Sequence, residues 1–488
     1  MDDLLVAVTA KVPIVVIETN DEKRACEQLL DCAQGLRRPC FKWTVSDGIK
    51  SLTRGFQVIE PGQHTEPEAA LRHIKSDVQA AIYVLCDFHP FLTDNPLNTR
   101  LLKDIALNHS IIEHVIVLVS HKFTVPEELK PLCLRVQLKL PNDQEISRIV
   151  REEAKRWSEQ RGGRASSDRD ALRQLVHTVR GLGHQDVRRL VRTAIFDDGV
   201  IDHSDIPAIN KSKFELMNMD GVLSYEFAVE QMDQVGGLNG LKEWLRQRQS
   251  IFVNGQNDVD IPKGMLLVGV QGAGKSLAAK AVAGLWHLPL LRLDFGALYN
   301  KFFGETERNL RESLAQAEIM APCVLWMDEI EKGLATGDTD NGTSKRVLGT
   351  LLTWMAERKQ RVFMVATSND ISRLPPEFMR KGRFDEIFFV DLPDDPARRS
   401  IFTIHLNRRN ISTIDFDLEM LTEAAEGFSG AEIEQAVVSG LFAARAQEVA
   451  LNDQILLEQI YQTRPLSVVM AEQVAALRAW AEGRTVKA

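Results

Sequence analysis

Short apolar runs alternate with polar, helix-forming stretches along the whole chain. An apolar run without polar alternation predicts a strand that helices cover on both faces, as in a parallel sheet. Such runs occur at 13–17, 81–86, 114–120, 265–268, 323–327 and 363–367. The pattern therefore predicts an α/β fold in both halves of the chain.

Two pairs of segments are similar across these halves. Segment 140–149 parallels 392–401, each opening on Leu-Pro-Asx-Asp, and segment 181–187 parallels 427–433. An internal duplication would explain this order. The alternative is that two unrelated α/β domains converged on the same alternation of strands and helices.

Composition and charge narrow the class of protein. The 488 residues carry a formal net charge of -9, which argues against a nucleic-acid binder driven by overall basicity. The six cysteines form no C-x-x-C pair, which predicts free thiols in a reducing compartment and gives no sign of a zinc site. The acidic N-terminus does not resemble a signal peptide, and no apolar run reaches the roughly 18 residues of a membrane span. We therefore expect a soluble, cytoplasmic protein.

A glycine-rich segment lies between a predicted strand and a predicted helix. Residues 269–276, GVQGAGKS, match G-x-x-x-x-G-K-[ST], in which backbone N–H groups cradle phosphate oxygens. Lys275 should reach the β- and γ-phosphates of a nucleotide, and Ser276 should ligate Mg²⁺. The expected nucleotide contacts are Gly269, Val270, Gln271, Gly272, Ala273, Gly274, Lys275, Ser276 and Leu277.

Two carboxylates follow the apolar run 323–327. A buried strand delivers such groups to the carboxyl edge of a sheet, where ligands of α/β folds bind. We expect Asp328 to hold Mg²⁺ through its water shell and Glu329 to act as the general base on the attacking water. The front half lacks the loop and its lysine, and Phe88 follows Asp87, so we expect no hydrolysis there.

From residue 232 to residue 450 the sequence resembles the AAA family of ATPases. The resemblance rests on DQVGGL at 233–238, the glycine-rich loop, the acidic strand, FMVATSN at 363–369, RKGRFD at 380–385 and GFSGAEI at 427–433. It implies an α/β P-loop NTPase core with a parallel sheet and a small α-helical lid, preceded here by a degenerate AAA-like α/β domain. It also implies ATP and Mg²⁺ as cofactors.

The resemblance assigns roles around one nucleotide. Gly237 would wall the adenine pocket, and Asn369 would orient the attacking water. Gly430 and Ala431 would border the nucleotide from the lid.

Two other segments would act between subunits. Arg380 and Arg383 match arginine fingers that enter the neighbouring subunit's site, although a surface pair making salt bridges is the alternative. Phe302 and Phe303, in KFFGE, match the pore loop of members that thread polypeptides through a ring of six subunits. Aromatic rings suit a sequence-tolerant grip, although Phe303 packing beneath the loop is an alternative.

These expectations combine into a function. The chain should be a Mg²⁺-dependent ATPase that forms a homo-oligomeric, hexameric ring and remodels or unfolds a protein client. The alternatives are a regulatory or scaffold ATPase that switches a protein assembly, and a nucleic-acid motor, which the charge does not favour. H-E-x-x-H is absent, which excludes a built-in protease of that zinc class.

The expected domains are a degenerate front domain at 1–210, a linker at 211–231, the large ATPase subdomain at 232–392, and the small lid with a C-terminal helix at 393–488. This layout resembles the AAA proteins first noted as a hypothetical reading frame in chloroplast genomes, which have cyanobacterial and other bacterial homologues. That resemblance adds the plastid stroma as a location if the gene is plastid-encoded.

Overall fold

The computed structural model describes the chain except for residues 1–5, 9, 11, 54–62, 164, 197, 218–221, 228–230, 255–259, 301–305, 335–342 and 381. Phe302 and Phe303 therefore lie outside the described residues. The chain forms two compact units. The front unit comprises residues 1–146 and 182–188, and the rear unit comprises residues 147–181 and 189–488.

The front unit is built on a sheet in the strand order β3-β2-β4-β5-β1-β6. Every neighbouring pair is parallel except β2 with β3. Its central strands are almost wholly buried, which is why their sequences are continuous apolar runs. The strands are β1 Ile14–Glu18, β2 Cys40–Thr44, β3 Gly48–Ser51, β4 Ile82–Cys86, β5 Val115–Ser120 and β6 Cys133–Val136.

Helices cover both faces of this sheet. Helix α1 (Glu22–Gly35) packs into the apolar cluster on one face, and α2 (Pro67–Ser76) and α3 (Pro96–Leu107) pack into the cluster on the other. Local sequence fixes where these helices begin, since Asp21 and Asn95 each accept a backbone N–H at a helix start. Proline at the first position of α2 and of α3 also favours a helix start there.

A helical segment follows. Its elements are α4 Asp143–Arg161, β7 Ser166–Ser167, α5 Arg169–Thr178, α6 His184–Ile195, β8 Val200–Ile201 and α7 Asp205–Leu216. The fully buried ammonium of Lys213 on α7 donates hydrogen bonds of 2.5–2.8 Å to the carbonyls of Thr178, Arg180 and Ile319. This lysine therefore anchors α7 within the rear unit.

The rear sheet has the strand order β15-β14-β10-β13-β12-β11-β9, and only β9 is antiparallel to its neighbour. Strand β10 lies in the interior of the sheet, between β13 and β14. The strands are β9 Leu223–Tyr225, β10 Gly264–Gly269, β11 Leu290–Leu293, β12 Cys323–Met327, β13 Val362–Ser368, β14 Glu386–Val390 and β15 Val486–Lys487.

Helices of the large part of the rear unit cover both faces of this sheet, and a cluster of helices with its own apolar core follows β14. The first set is α8 Asn239–Asn254, α9 Lys275–Trp286, α10 Phe295–Asn300, α11 Thr306–Ile319, α12 Ile330–Leu334 and α13 Thr343–Glu357. The second set is α14 Asp395–Asn407, α15 Leu418–Ala424, α16 Gly430–Ala446, α17 Asp453–Gln462, α18 Leu466–Val469 and α19 Ala471–Ala481.

The two sheets share one topology. The order β6-β1-β5-β4-β2 in the front unit matches β14-β10-β13-β12-β11 in the rear unit, with a helix after the first strand of each. The prediction of a parallel α/β core with a helical lid, preceded by a second α/β domain, is confirmed. The predicted domain boundaries remain predictions: α7 already includes residues 211–216, and β9 pairs with the rear sheet.

Candidate active site

The glycine-rich loop connects β10 to α9 at the carboxyl edge of the rear sheet. Gly269 ends β10 with a φ of 151°, and a Cβ there would lie 2.0 Å from the carbonyl oxygen of Val390 on β14. Gly274 precedes α9 with a φ of 97°. Both positions favour glycine because side chains disfavour these angles, and position 269 requires it because there is no space for a Cβ.

Lys275 is the first residue of α9, and its side chain is buried. Its ammonium donates to the carbonyl oxygens of Gly269 at 2.8 Å and Val270 at 2.7 Å. Burial lowers the pKa of Lys275 to about 8, against the opposing attraction of Glu331. A buried cation at a helix N-terminus favours an anionic ligand, so the residues fit a nucleotide phosphate.

Asp328 follows β12 and organises a group of oxygen atoms. Its Oδ1 accepts hydrogen bonds from Ser276 Oγ at 3.0 Å and from Thr367 Oγ1 at 2.6 Å. Hydroxyl and carboxylate oxygens are the ligand types that Mg²⁺ prefers. The arrangement therefore fits a magnesium ion between the loop and β12.

Glu329 adopts an uncommon backbone conformation, with a φ of 47°. Its N–H donates to Thr367 Oγ1 at 3.0 Å, its Oε1 accepts from Asn369 Nδ2 at 3.0 Å, and its Oε2 pairs with Lys332. Glu331 Oε1 accepts the backbone N–H of Asn369 at 3.0 Å and so fixes that residue. These contacts fix the orientation of the Glu329 carboxylate, which lies beside Asn369 at the end of β13.

A cavity of about 400 Å³ lies between this edge and the helices that follow β14. The loop and the end of β12 form one wall, and α14 and α16 form the other. Ala431 N–H donates to Gly272 O at 3.2 Å, so the start of α16 touches the loop directly. Ser429 and Glu432 form a capping box that fixes where α16 begins.

The structure brings most predicted nucleotide contacts to this cavity. Its lining includes Gln271, Gly272, Ala273, Gly274, Lys275, Ser276, Leu277, Asp328, Glu329, Asn369, Gly430 and Ala431. Gly269 and Val270 instead turn their carbonyls to Lys275. Gly237 faces Ala397, while Gln234, Val235 and Gly236 reach the cavity.

The predicted arginine fingers lie elsewhere. Neither Arg380 nor Arg383 is among the described residues that line the cavity. Arg380 is exposed, and the guanidinium of half-buried Arg383 donates to the carbonyl of Leu352.

Several lining residues escaped the sequence analysis. Thr367 forms hydrogen bonds with both the Asp328 carboxylate and the backbone N–H of Glu329. The only feature of the sequence that pointed to it was its position two residues before Asn369. On α14 and α16, His405 and Glu434 face the cavity with their side chains 3.5 Å apart. Burial lowers the pKa of His405, and Glu434 opposes this shift. No spacing pattern marks these lone helix residues.

Comparison with known proteins gives matches along the chain. Residues 265–392 match the family "ATPase family associated with various cellular activities (AAA)". Residues 1–138 and 144–220 match the N-terminal and second domains of SpoVK-like AAA ATPases. The uncharacterized AAA domain-containing protein ycf46 of Trieres chinensis is 34% identical over 495 residues, covering 100% of this chain and 97% of the relative. This chain belongs to the AAA ATPase family.

Other relatives of this AAA protein match it in part. The proteasome-activating nucleotidase of Aeropyrum pernix is 39% identical over 187 residues, which is 37% of this chain and 45% of the relative. The crystal structure of the FIGL-1 AAA domain has a TM-score of 0.48 at 22% identity, covering 56% of this chain and 96% of its own. No helix in the described parts of the chain is long and apolar enough to cross a bilayer.

Family membership confirms two predictions. The chain is an ATPase, and it resembles the plastid reading-frame AAA proteins over its full length. The AAA family generally uses ATP with Mg²⁺. The residue that performs each step in this chain is a matter for proposal.

Proposed function

We propose that this ATPase forms a homo-oligomeric ring of six subunits and remodels a protein client. The observation that carries the proposal is the composition of the cavity. One chain supplies Lys275, Asp328, Glu329 and Asn369 to it, while Arg380 and Arg383 lie outside its described lining. Fingers supplied by a neighbouring subunit would complete such a site, and hydrolysis would then depend on assembly.

Within one subunit, each side chain has a proposed task. Lys275 would bind the β- and γ-phosphates, and Ser276 and Asp328 would hold Mg²⁺, whose charge would offset that of the phosphates. Glu329 accepts a proton from water, and Asn369 holds the Glu329 carboxylate in the direction seen in the structure. Gly237 positions the segment whose residues 234–236 reach the cavity.

The lid offers surface for a neighbouring subunit. Phe442 and Tyr461 on α16 and α17 are 72% and 74% exposed, and Val468 and Val469 on α18 are also exposed. Large apolar side chains that share one small helical domain often mark contact surfaces. A head-to-tail contact that repeats and closes makes a ring.

A mixing experiment tests the ring. The double variant Arg380→Ala/Arg383→Ala and the variant Glu329→Gln should each lose ATPase activity by at least about a thousandfold, as expected for a finger or a base. Mixed in equal amounts, they should recover up to about a quarter of wild-type activity, because a working site needs Glu329 from one chain and fingers from the next.

A matched control uses Lys275→Met with Glu329→Gln. Both changes affect the same chain's part of the site, so this mixture should recover nothing. If the first mixture stays inactive although the two variants co-assemble by size-exclusion chromatography, the fingers do not act between subunits and the proposal is wrong.

The pore loop would grip the client. We propose that Phe302 and Phe303 contact the client. The relative from Aeropyrum pernix carries a name that refers to activating the proteasome, which favours a protein client over a nucleic acid. Phe302→Ala should keep basal ATPase activity and lose its stimulation by an unfolded protein. The control Phe196→Ala, which removes an exposed ring of the helical segment, should keep both. Unchanged stimulation in Phe302→Ala would instead favour a regulatory ATPase.

We also propose a location and a division of labour. The free cysteines suit a reducing compartment such as the cytoplasm or a plastid stroma. Residues 232–392 would be the large ATPase subdomain and 393–488 the lid with its C-terminal helix. Residues 1–210 would serve as a scaffold or docking domain, joined by the linker 211–231.

A further inference from the structure

Three side chains of the front unit bring metal-binding atoms together. The carboxylate of Glu22 and the thiol sulfurs of Cys26 and Cys86 all lie within 4.8 Å of one another. Cys26 and Cys86 are buried, and Glu22 is half-buried, so the cluster has one side towards solvent. No motif along the chain predicts this cluster, because the two cysteines lie in different elements far apart in the sequence.

The fold accounts for this convergence. Glu22 and Cys26 are four residues apart on α1, so they share one face of that helix. Cys86 is the last residue of β4, and both cysteines belong to the apolar cluster between α1 and the sheet. The cluster therefore lies at the carboxyl edge of the front sheet, beside the start of α1.

Charges around the cluster favour a cation. Lys42 on β2 pairs with Glu22, and its ammonium attracts the charged forms of both thiols. The thiols of Cys26 and Cys86 also form a hydrogen bond with each other. Metal binding releases the thiol protons. The resulting two thiolates and one carboxylate beside one ammonium would carry two excess negative charges, which a divalent cation would neutralise.

We propose that Glu22, Cys26 and Cys86 form a binding site for a thiophilic divalent cation of the zinc class. Thiolate and carboxylate ligands suit Zn²⁺, which takes four ligands, and the half-buried side leaves the fourth position to water. A carboxylate has two oxygens, so Glu22 can bind the ion with one while the other keeps its contact with Lys42. The bound ion would tie α1 to β4.

Neighbouring thiols do not compete for this role. Cys40 belongs to the same apolar cluster, but its sulfur is not among the metal-binding atoms that lie within 4.8 Å of one another. Cys133, on the edge strand β6, also lies outside this group of atoms.

Cobalt provides a direct test on the full-length chain. After chelator treatment in the absence of nucleotide, one equivalent of Co²⁺ should produce a thiolate-to-cobalt charge-transfer absorption, and one equivalent of Zn²⁺ should abolish it. Oxygen ligands of the rear site give no such band. Cys26→Ser and Cys86→Ser should remove the band, and the matched control Cys133→Ser should retain it.

A milder variant guards against misfolding. Glu22→Gln keeps the shape of the side chain and should weaken Co²⁺ binding by at least about tenfold, with an unchanged circular dichroism spectrum. Absence of the band in the wild type overturns the proposal, as does a band that survives in Cys26→Ser. A Cys26–Cys86 disulfide in protein purified under reducing conditions, seen by mass spectrometry as a mass lower by two hydrogen atoms, would also overturn it.

Discussion

Thr367 connects the two carboxylates of the active site, and replacing it with valine tests whether that connection governs turnover. The side chain is 1% exposed, so the isosteric valine occupies the same space. The variant loses the 2.6 Å hydrogen bond to Asp328 and leaves the N–H of Glu329 without its 3.0 Å acceptor. Glu329, with its uncommon φ of 47°, loses one of the contacts that fix it.

The size of the effect follows from these bonds. An N–H left without a partner costs about 1–3 kcal/mol, and 1.4 kcal/mol corresponds to about a tenfold change in rate. If this free energy is lost from the correct placement of Glu329 in the transition state, kcat should fall by about five- to 150-fold. The KM for ATP should change by less than about threefold. Steady-state ATPase assays on the assembled protein measure both constants.

Two controls separate catalysis from stability. Thr367→Ser keeps the hydroxyl and should retain most of the activity. Ser368→Ala removes the neighbouring buried hydroxyl, which donates to Asp370 O and not to the carboxylates, and should leave kcat close to the wild-type value. A Thr367→Val protein with unchanged kcat and a lowered melting temperature would refute the reasoning, because Thr367 would then only stabilise the fold.

Three further predictions concern the loop and the lid. Gly269→Ala should unfold or severely destabilise the rear unit in urea titrations, because its Cβ would collide with Val390 O. The matched variant Gly274→Ala has nothing within 4 Å of its Cβ and should cost only about 1–3 kcal/mol of backbone strain. The pKa of Lys275 falls from 10.5 to about 8 on folding, so between these pH values the unfolded state binds more protons than the folded state. The free energy of unfolding should therefore rise with pH. Across this pH window, the nucleotide-free wild type should gain about 3 kcal/mol relative to Lys275→Met, measured by chemical denaturation. Ser429→Ala removes the capping box of α16 and should lower the free energy of unfolding by about 1 kcal/mol, measurable by chemical denaturation.

The sequence predicted the central strands and the loop because their signals are local. A strand buried on both faces leaves a continuous apolar run, and each of the six runs matches a strand of the structure to within one residue at either end. Glycines with positive φ produce the loop pattern in the same direct way. Short edge strands leave no such signal: β9 and β15 have three and two residues, and they exist through pairing with β11 and β14.

The remaining site residues depend on long-range packing. His405 and Glu434 reach the cavity only because α14 and α16 fold over the loop, and neither belongs to a spaced motif. Cys26 and Cys86 likewise meet through the packing of α1 on the front sheet. A pattern along the chain reports which face a residue occupies, and it does not report which distant side chain it meets.

The two sheets have the same strand order but carry different side chains at their carboxyl edges. In the rear unit, β10 ends at Gly269, and the helix that follows begins at Lys275. In the front unit, the corresponding strand β1 ends at Glu18, and the helix that follows begins at Glu22. Glu18 Oε1 accepts from the N–H of Phe123 at 3.0 Å and from Arg135 at 2.8 Å, so protein groups fill that edge. The same strand order thus presents an ammonium to a ligand in one unit and carboxylates in the other. Phosphate binding requires the first arrangement, and the second repels it.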